Sequence, residues 1–464
     1  MCRVSALWTH EELIAAVGGK AEGAFNANEV AFDSREIGRG DLFFALKGEA
    51  TDGHLFADKS FANGAAGAIV SDPIAYPHIL VDDTMDALNA LARASRARVS
   101  AKIIGVTGSA GKTGTKEALY AALDRSSRGF AHRSVKSYNN HVGVPLSLAR
   151  MPRDAQFGVF EMGMNHAGEL CELTALVQPH VAIITTIAPA HIGFFKDETE
   201  IADAKAEIFE GLMPGGTAII PADNAHYPRL RDAAEKYAAN VISFGFAADA
   251  DVRVLDHVAS QNGGLITAKL PGGTLCYTLS QPGKHWIANS LAVLAAVEAV
   301  GGDLAAAGLA MAELGGLAGR GARHRVTVGE KTVTLIDESY NANPASMTAT
   351  IAELGNHHAG RRIVVLGAMK ELGDRSDEYH EALAIPLASA NVDFAILVGE
   401  EMQILATKLN AGVEGPVNFA HCTNAGEALD LLRDNLRDSD TVLVKGSNSM
   451  GLSSIINALV GEGS

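Results

Sequence analysis

Residues 105 to 119, GVTGSAGKTGTKEAL, bring a glycine turn, a lysine and a hydroxyl together in the manner of a phosphate cradle. In the common loop G-x-x-x-x-G-K-[ST] the first glycine stands five places before the second. Here that place is Val106, and the glycines are Gly108 and Gly111. The chemistry survives the altered spacing: turn amides face the phosphates, Lys112 supplies charge to the terminal ones, and the Thr113 hydroxyl suits Mg²⁺. Gly108, Ser109, Ala110, Gly111, Lys112, Thr113 and Gly114 are therefore the candidate nucleotide contacts. An ordinary strand-to-helix turn is the competing reading, disfavoured by Gly-Lys-Thr so soon after the apolar run KIIGVT.

Other residues with chemical potential follow strand-like runs. Glu161 ends FGVF, where an acid at the carboxyl edge of a sheet could be a second Mg²⁺ ligand or simply a solvated strand end. His191 follows VAIITTI, a place where a structural histidine is the commoner case. Lys205 is odder, since Ile201, Ile208 and Phe209 are its helical neighbours and set its ammonium on an apolar face. Two readings stay open: the side chain snorkels to water, or desolvation lowers its pKa and frees a neutral amine for chemistry or modification. His285 and Asn289 stand four apart on an Ala/Leu-rich helix and could present polar edges to a base or ribose, or merely satisfy each other at a helix end. Asp337, Ser339, Tyr340, Asn341 and Asn343 crowd the loop LIDESYNANP, although Asx-rich turns also arise for structural reasons.

These residues need a scaffold of parallel strands. From Lys102 the pattern is strand, glycine turn, helix, and the runs KIIGVT, FGVF, VAIITTI and GTAIIP are apolar enough to be buried on both faces. This predicts a central doubly wound sheet. Residues 1–100 read as a small α/β domain with a helical exit from Thr84 to Ser100. The Gly-rich stretch 315–321 marks a second boundary, followed by VTLID, RRIVVLG, FAILVG and TVLVKGS in a Rossmann-like pattern. The expected fold class is thus α/β with three domains, at 1–100, 101–326 and 327–464.

Composition limits the partners. The 464 residues carry a formal charge of −16, which opposes a sequence-independent grip on nucleic acid. No apolar run reaches the roughly 20 residues of a membrane helix, so membrane insertion is not expected. Cys2, Cys171, Cys276 and Cys422 form no metal pattern, and the N-terminus lacks a signal-like region, which together suit a cytoplasmic protein. A monomer is the default expectation.

Taken in order, FDSREIGRGDLFFALKGEATDGHLF, TGSAGKTGTKE, YNNHVGVPLSL, EMGMNHAGEL, AHIGFF, AKAEIF, PGKHWIANSLA, DESYNANPASM, LGAMKELG and VKGSNSM resemble the Mur ligases, ATP-dependent amide-forming enzymes of peptidoglycan synthesis. DESYNANP and MKELG resemble the branch that adds D-Ala-D-Ala to UDP-MurNAc-tripeptide through an acyl phosphate, a step of cell-wall assembly on which cell shape and division depend. The resemblance implies an N-terminal UDP-sugar-binding domain, a central ATP-binding domain and a C-terminal Rossmann-like domain. It also implies ATP and two Mg²⁺ ions, with Thr113, Glu161, His191 and a carbamylated Lys205 as metal ligands. Lys112, Lys205, His191 and Arg320 become the catalytic set, and Asn289, Arg320 and Asp337 nucleotide contacts. Ser34, Arg35 and Lys47 match the region for the UDP end. Asn139, Asn140, Asn165 and His166 match the peptide side of the cleft, and Tyr340, Asn341 and Asn343 its C-terminal side. Four positions depart from the expected pattern: Ala368 for Asp, Thr186 for Asn, Gly193 near a usual Glu, and Trp286 for Asn. The competing readings are another Mur or folylpolyglutamate-type ligase, a P-loop NTPase or phosphotransferase forming no amide, and a silent nucleotide-regulated scaffold.

Overall fold

A computed structural model describes residues 6–48, 51–260, 263–356, 360–412 and 417–462; Cys2 falls outside them. Their strands form three sheets. The first contains β1 (Lys20–Glu22), β2 (Val30–Ala31), β3 (Leu42–Phe44), β4 (Gly67–Val70) and β5 (His78–Leu80), in the order β1-β5-β4-β3-β2. All its pairings are parallel except that of β1 with β5. Its exit helix, Thr84–Ala97, starts where the Asp83 carboxylate accepts from the amides of Met85 and Asp86. Leu88 and Leu91 of that helix join Trp8, Phe44 and Ile79 in one core, which extends to Leu146 and Ala149 of the central domain. The Trp8 indole also donates to the Ala149 carbonyl at 2.9 Å, so the first two domains share packing as well as a connecting helix.

The second sheet has nine strands: β6 (Lys102–Thr107), β7 (Ala131–Arg133), β8 (Phe157–Glu161), β9 (Val181–Ile184), β10 (Thr217–Pro221), β11 (Asn240–Gly245), β12 (Val252–Ser260), β13 (Gly263–Leu270) and β14 (Gly273–Leu279). Their order is β14-β13-β12-β11-β10-β9-β6-β8-β7. β6 is buried from Ile103 to Thr107, as its unbroken apolar run requires. It lies between β8 and β9, the point where the chain reverses direction across the sheet and open α/β folds leave a ligand crevice. The antiparallel extension β12–β14 lacks the continuous apolar runs of the central strands, since β12 is exposed over most of its length and β13 mixes buried and exposed residues, so the sequence pattern does not single it out.

The third sheet contains β15 (Ala322–Val328), β16 (Lys331–Glu338), β17 (Arg362–Gly367), β18 (Phe394–Val398), β19 (Asn418–Cys422) and β20 (Thr441–Lys445). The order is β15-β16-β20-β17-β18-β19, with only β15 antiparallel to its neighbour. This sheet begins at Ala322, ahead of the boundary expected at 326/327, because β15 pairs with β16 along its whole length. Ile187 and Ile192 of the central domain belong to the same buried apolar cluster as Ala342, Met369 and Leu372 of the third, so these two domains are in contact beside the crevice.

Candidate active site

The crevice is built on the turn that follows β6. Gly108 has φ 147°, and a Cβ there would come within 1.9 Å of Thr185 Oγ1, so only glycine fits. Ser109 Oγ donates to the Ala188 carbonyl at 2.8 Å, tying the loop to the segment after β9. The helix Lys112–Ser127 starts at Gly111 with no side-chain cap, leaving its first amides directed at the crevice as an anion site. Lys112 Nζ donates to the Gly108 carbonyl at 2.7 Å. Burial lowers the Lys112 pKa, opposed by Glu161 and reinforced by Arg320.

Glu161 sits in register with Val106 at the end of β8, and its side chain is buried. Its Oε2 accepts from Thr113 Oγ1 at 2.9 Å and its Oε1 from Asn139 Nδ2 at 2.8 Å. Lys116, one turn beyond Lys112, is fully buried with its ammonium 3.8 Å from Glu161 Oε2 and 3.0 Å from Glu117 Oε1. Lys116 lies outside the phosphate-loop motif; its four-residue spacing from Lys112 on one helix face is the sequence signal that it shares this site.

Lys205 lies on the helix Glu198–Ala206 and is 1% exposed. Its Nζ has no hydrogen-bond or ion-pair partner among the described residues. Burial, and next the nearby Lys112 charge, push its pKa well below the ordinary lysine value. Of the two readings left open by the sequence, snorkelling is excluded. His191 Nδ1 is shut off from water and 2.5 Å from Glu371 Oε2, although the ring N–H is not aligned as a hydrogen bond.

A hydroxyl, a buried carboxylate and the His191 imidazole, meeting at one crevice, form a donor set that fits a divalent ion. Another group with metal-like spacing, Asp52, His54 and Asp72, lies in the first domain. There His54 Nδ1 faces Asp52 Oδ1 at 2.6 Å, and Nε2 accepts from the amides of Ser71 and Asp72, so both nitrogens already hold the loop together.

Two cavities meet at the loop. One of about 440 Å³ is lined by Gly111, Thr186, Phe246, His285, Trp286, Asn289 and Arg320 and combines aromatic walls with polar edges, as a nucleoside requires. The other, about 380 Å³, is lined by Lys112, Glu161, His191 and Arg320, together with Asn139, Asn165, Tyr340, Asn341, Asn343 and Glu371. Ala110, Gly111, Arg320, Asn341 and Asn343 border both, so a group bound in one reaches the other past the phosphate loop. A larger cavity, about 630 Å³, is lined by Ser280, Leu314, Arg323 and Thr441 and contains no phosphate-loop residue.

Family models match this architecture in three consecutive pieces. The Mur ligase family catalytic domain covers residues 26–99, the Mur ligase middle domain 106–297, and the Mur ligase glutamate ligase domain 322–448. The chain belongs to the Mur ligase family. It is 34% identical to the UDP-N-acetylmuramoyl-tripeptide--D-alanyl-D-alanine ligase of Escherichia coli (strain K12), over 98% of this chain and 99% of that one. A crystal structure of MurF from Acinetobacter baumannii superposes with a TM-score of 0.83 at 31% identity, covering 98% of this chain and 99% of that one. The MurF ligase of Thermotoga maritima in complex with ADP gives 0.76 at 26% identity, covering 94% and 97%.

The remaining expected residues of this Mur ligase divide into groups at the crevice and groups away from it. Arg320 stacks its guanidinium over Tyr340, 4.3 Å from the ring centre, at the junction of the cavities. Asn343 caps the helix Pro344–Gly355 and donates to the Ser109 carbonyl at 3.3 Å, fastening the third domain to the phosphate loop. Asp337 lines neither cavity; its carboxylate accepts from the Gly319 amide at 2.7 Å and from Ser339 Oγ at 2.6 Å. It thus fixes the residue before Arg320. Asn140 Oδ1 accepts from the amides of Val142 and Gly143 at the start of a helix, and His166 packs against Glu169 and Phe194; neither lines the two cavities. Arg35 and Lys47 are exposed on the first domain and paired with Asp33 and Asp72. Ser34 is buried beside them, its carbonyl accepting from Asn63.

Three of the departures have visible settings. Trp286 walls the cavity of about 440 Å³, with its ring against Gly114. The Thr186 carbonyl accepts from the Ser109 amide, and Ala368 is fully buried behind β17. Lys445, a buried cation at the end of β20, borders the nucleoside cavity and pairs with Glu338 at 3.2 Å. In the sequence this lysine is only the end of an apolar strand run, TVLVKGS, and nothing local signals its partner.

Proposed function

We propose that this chain joins D-Ala-D-Ala to UDP-MurNAc-tripeptide, consuming ATP and yielding UDP-MurNAc-pentapeptide, ADP and phosphate. The observation that carries the reading is the convergence of Lys112, Glu161, His191 and Arg320 on one cavity that opens into a nucleoside-shaped one. A carboxylate is a poor acyl donor because its leaving group would be an oxide. Transfer of the γ-phosphoryl group onto the tripeptide carboxylate makes a mixed anhydride, and attack by the dipeptide amine then forms the amide and expels phosphate. Lys112, Arg320 and the free amides of the loop would stabilise charge on the transferring group, a reading supported by the two side chains lining one cavity. Asn139, Asn165, Tyr340, Asn341 and Asn343 would orient the two peptides against that phosphate.

Thr113, Glu161 and His191 would hold Mg²⁺, whose contribution is to neutralise phosphate charge. We assign a second ion nearby, with Lys205, buried behind the cavity within reach of the Lys112 charge, carbamylated. Burial lowers the Lys205 pKa and so favours the free amine that adds to CO₂; the N–C bond forms with release of a proton, and the carbamate is an anion where the bare side chain has no counter-charge among the described residues. Ser34, Arg35 and Lys47 would meet the UDP end. Domains bounded near 100 and 321 would supply the UDP-sugar site, the ATP site and a closing Rossmann-like lid that keeps water from the anhydride. A cytoplasmic monomer is the proposed state; Cys171, Cys276 and Cys422 are free, as suits a reducing compartment, and no described helix is long and apolar enough to cross a membrane.

The experiment is phosphate release from Mg-ATP and UDP-MurNAc-tripeptide, with and without D-Ala-D-Ala, followed by mass analysis. Release that needs both substrates and yields the pentapeptide supports the ligase. Release indifferent to the dipeptide, with no new amide, leaves an NTPase instead.

A further inference from the structure

The geometry points to Glu371 as a positioning residue for His191, carried in by the third domain, so that domain closure and the setting of this imidazole are one event. The inference rests on the metal-binding reading of His191 above.

Two non-glycine residues with left-handed backbones meet here, His191 at φ 58° and Glu371 at φ 65°. Such conformations are uncommon for side-chain-bearing residues and persist where surrounding contacts impose them. The imposing contacts are visible. The Gly193 amide donates to the Glu371 carbonyl at 3.0 Å, and Ile192 packs in one cluster with Met369 and Leu372. The two backbones touch at Gly193 and Gly373: a Cβ on Gly193 would come within 2.7 Å of the Gly373 amide nitrogen, and one on Gly373 within 2.8 Å of Gly193 Cα. This also accounts for glycine at position 193, where the family resemblance leads one to expect an acid nearby.

The consequence falls on the ring. The carboxylate oxygen lies 2.5 Å from Nδ1 without hydrogen-bond alignment, and its charge favours the proton on that nitrogen and the Nε2 lone pair for an ion. Lys370, the neighbouring cation, is already engaged with Glu401, so Glu371 keeps its charge for the histidine. The pair is part of the wall of the phosphate cavity together with Lys112 and Glu161, which distinguishes it from a surface ion pair of little energetic value. An open arrangement of the domains would separate Glu371 from His191 and leave the imidazole free to turn.

The test is titration of the full chain with Mn²⁺, followed by electron paramagnetic resonance in the presence of a non-hydrolysable ATP analogue. Glu371→Gln should weaken Mn²⁺ binding about tenfold, the lower range for groups that orient a metal ligand, and Glu371→Asp should recover part of that loss. Gly193→Ala, which alters neither side chain of the pair, should give a similar weakening by forcing the two loops apart. Wild-type Mn²⁺ affinity in Glu371→Gln, with affinity lost in His191→Ala, overturns the positioning role and leaves the metal reading intact. Unchanged affinity in His191→Ala overturns both.

Discussion

The rim of the first domain and the phosphate face of the second both carry lysine and arginine, under opposite physical conditions. Arg35 keeps 77% of its side chain in water and Lys47 52%, each against one carboxylate. Around the loop, Lys116 is fully buried and Lys205 is 1% exposed. Water screens the rim charges, so their pairs add little to stability and can be exchanged for a ligand's phosphates at small cost. A buried amine has no such freedom: Lys116 is held by Glu117, Glu161 and the Lys136 carbonyl, whereas Lys205 has no partner among the described residues and burial pushes its pKa well below the ordinary lysine value. The difference is between a buried cation that the fold pairs and one without a partner among the described residues.

The contrast can be broken most severely at the loop itself. Lys112→Ala should lower kcat/KM by about 10³-fold or more, the scale of a lost cationic contact to a transferring phosphoryl group, with turnover measured at saturating UDP-tripeptide. A loss of tenfold or less would remove Lys112 from the transfer step. Lys205→Met should also abolish turnover, yet stabilise the unliganded fold by roughly 1–3 kcal/mol, because an unsatisfied buried amine is replaced by an apolar side chain of similar size. Denaturant unfolding reads this directly, and a destabilised Lys205→Met chain would mean that the amine has a structural partner.

Arg35→Gln and Lys47→Gln sharpen the other side. Each should raise KM for the UDP substrate about tenfold, equivalent to roughly 1.4 kcal/mol, while kcat and unfolding midpoint stay near wild type. A fall in kcat instead would place these residues closer to the reaction than their exposure suggests.

The smallest effect is on acid stability. Burial holds the imidazoles of His132 and His180 at about 4, against an ordinary 6.5. Between those values the unfolded chain binds more protons than the folded one, so stability is present above pH 6.5 and is lost as pH falls toward 4. His132→Gln should remove one proton from that linkage and flatten the slope by at most about 1.4 kcal/mol per pH unit. Melting curves from pH 4 to 7 test it, and an unchanged slope would mean that His132 is not held neutral.

How much of this was legible in sequence depended on whether the partner was local. The loop at 108–113, the strands on either side of it and the apolar neighbours of Lys205 are all encoded within a few residues, and the structure has them where the pattern put them. Lys116, Lys445 and Glu371 escaped because their meaning lies in residues far along the chain, Glu161, Glu338 and His191. Asp337 and Asn140 show the converse. An Asx side chain that holds a turn and one that reaches a ligand have the same local signature, and only the direction of the carboxylate or amide separates them.

The sequence alone determined a phosphate cradle between parallel strands and a lysine on an apolar helix face, because periodicity and glycine spacing act over one or two turns of chain. The tertiary structure decided which buried cations find a counter-charge, which Asx residues face the cavity, and that Glu371 meets His191. Those outcomes depend on distances between domains, and burial makes each unpaired charge too costly to be placed by local preference alone.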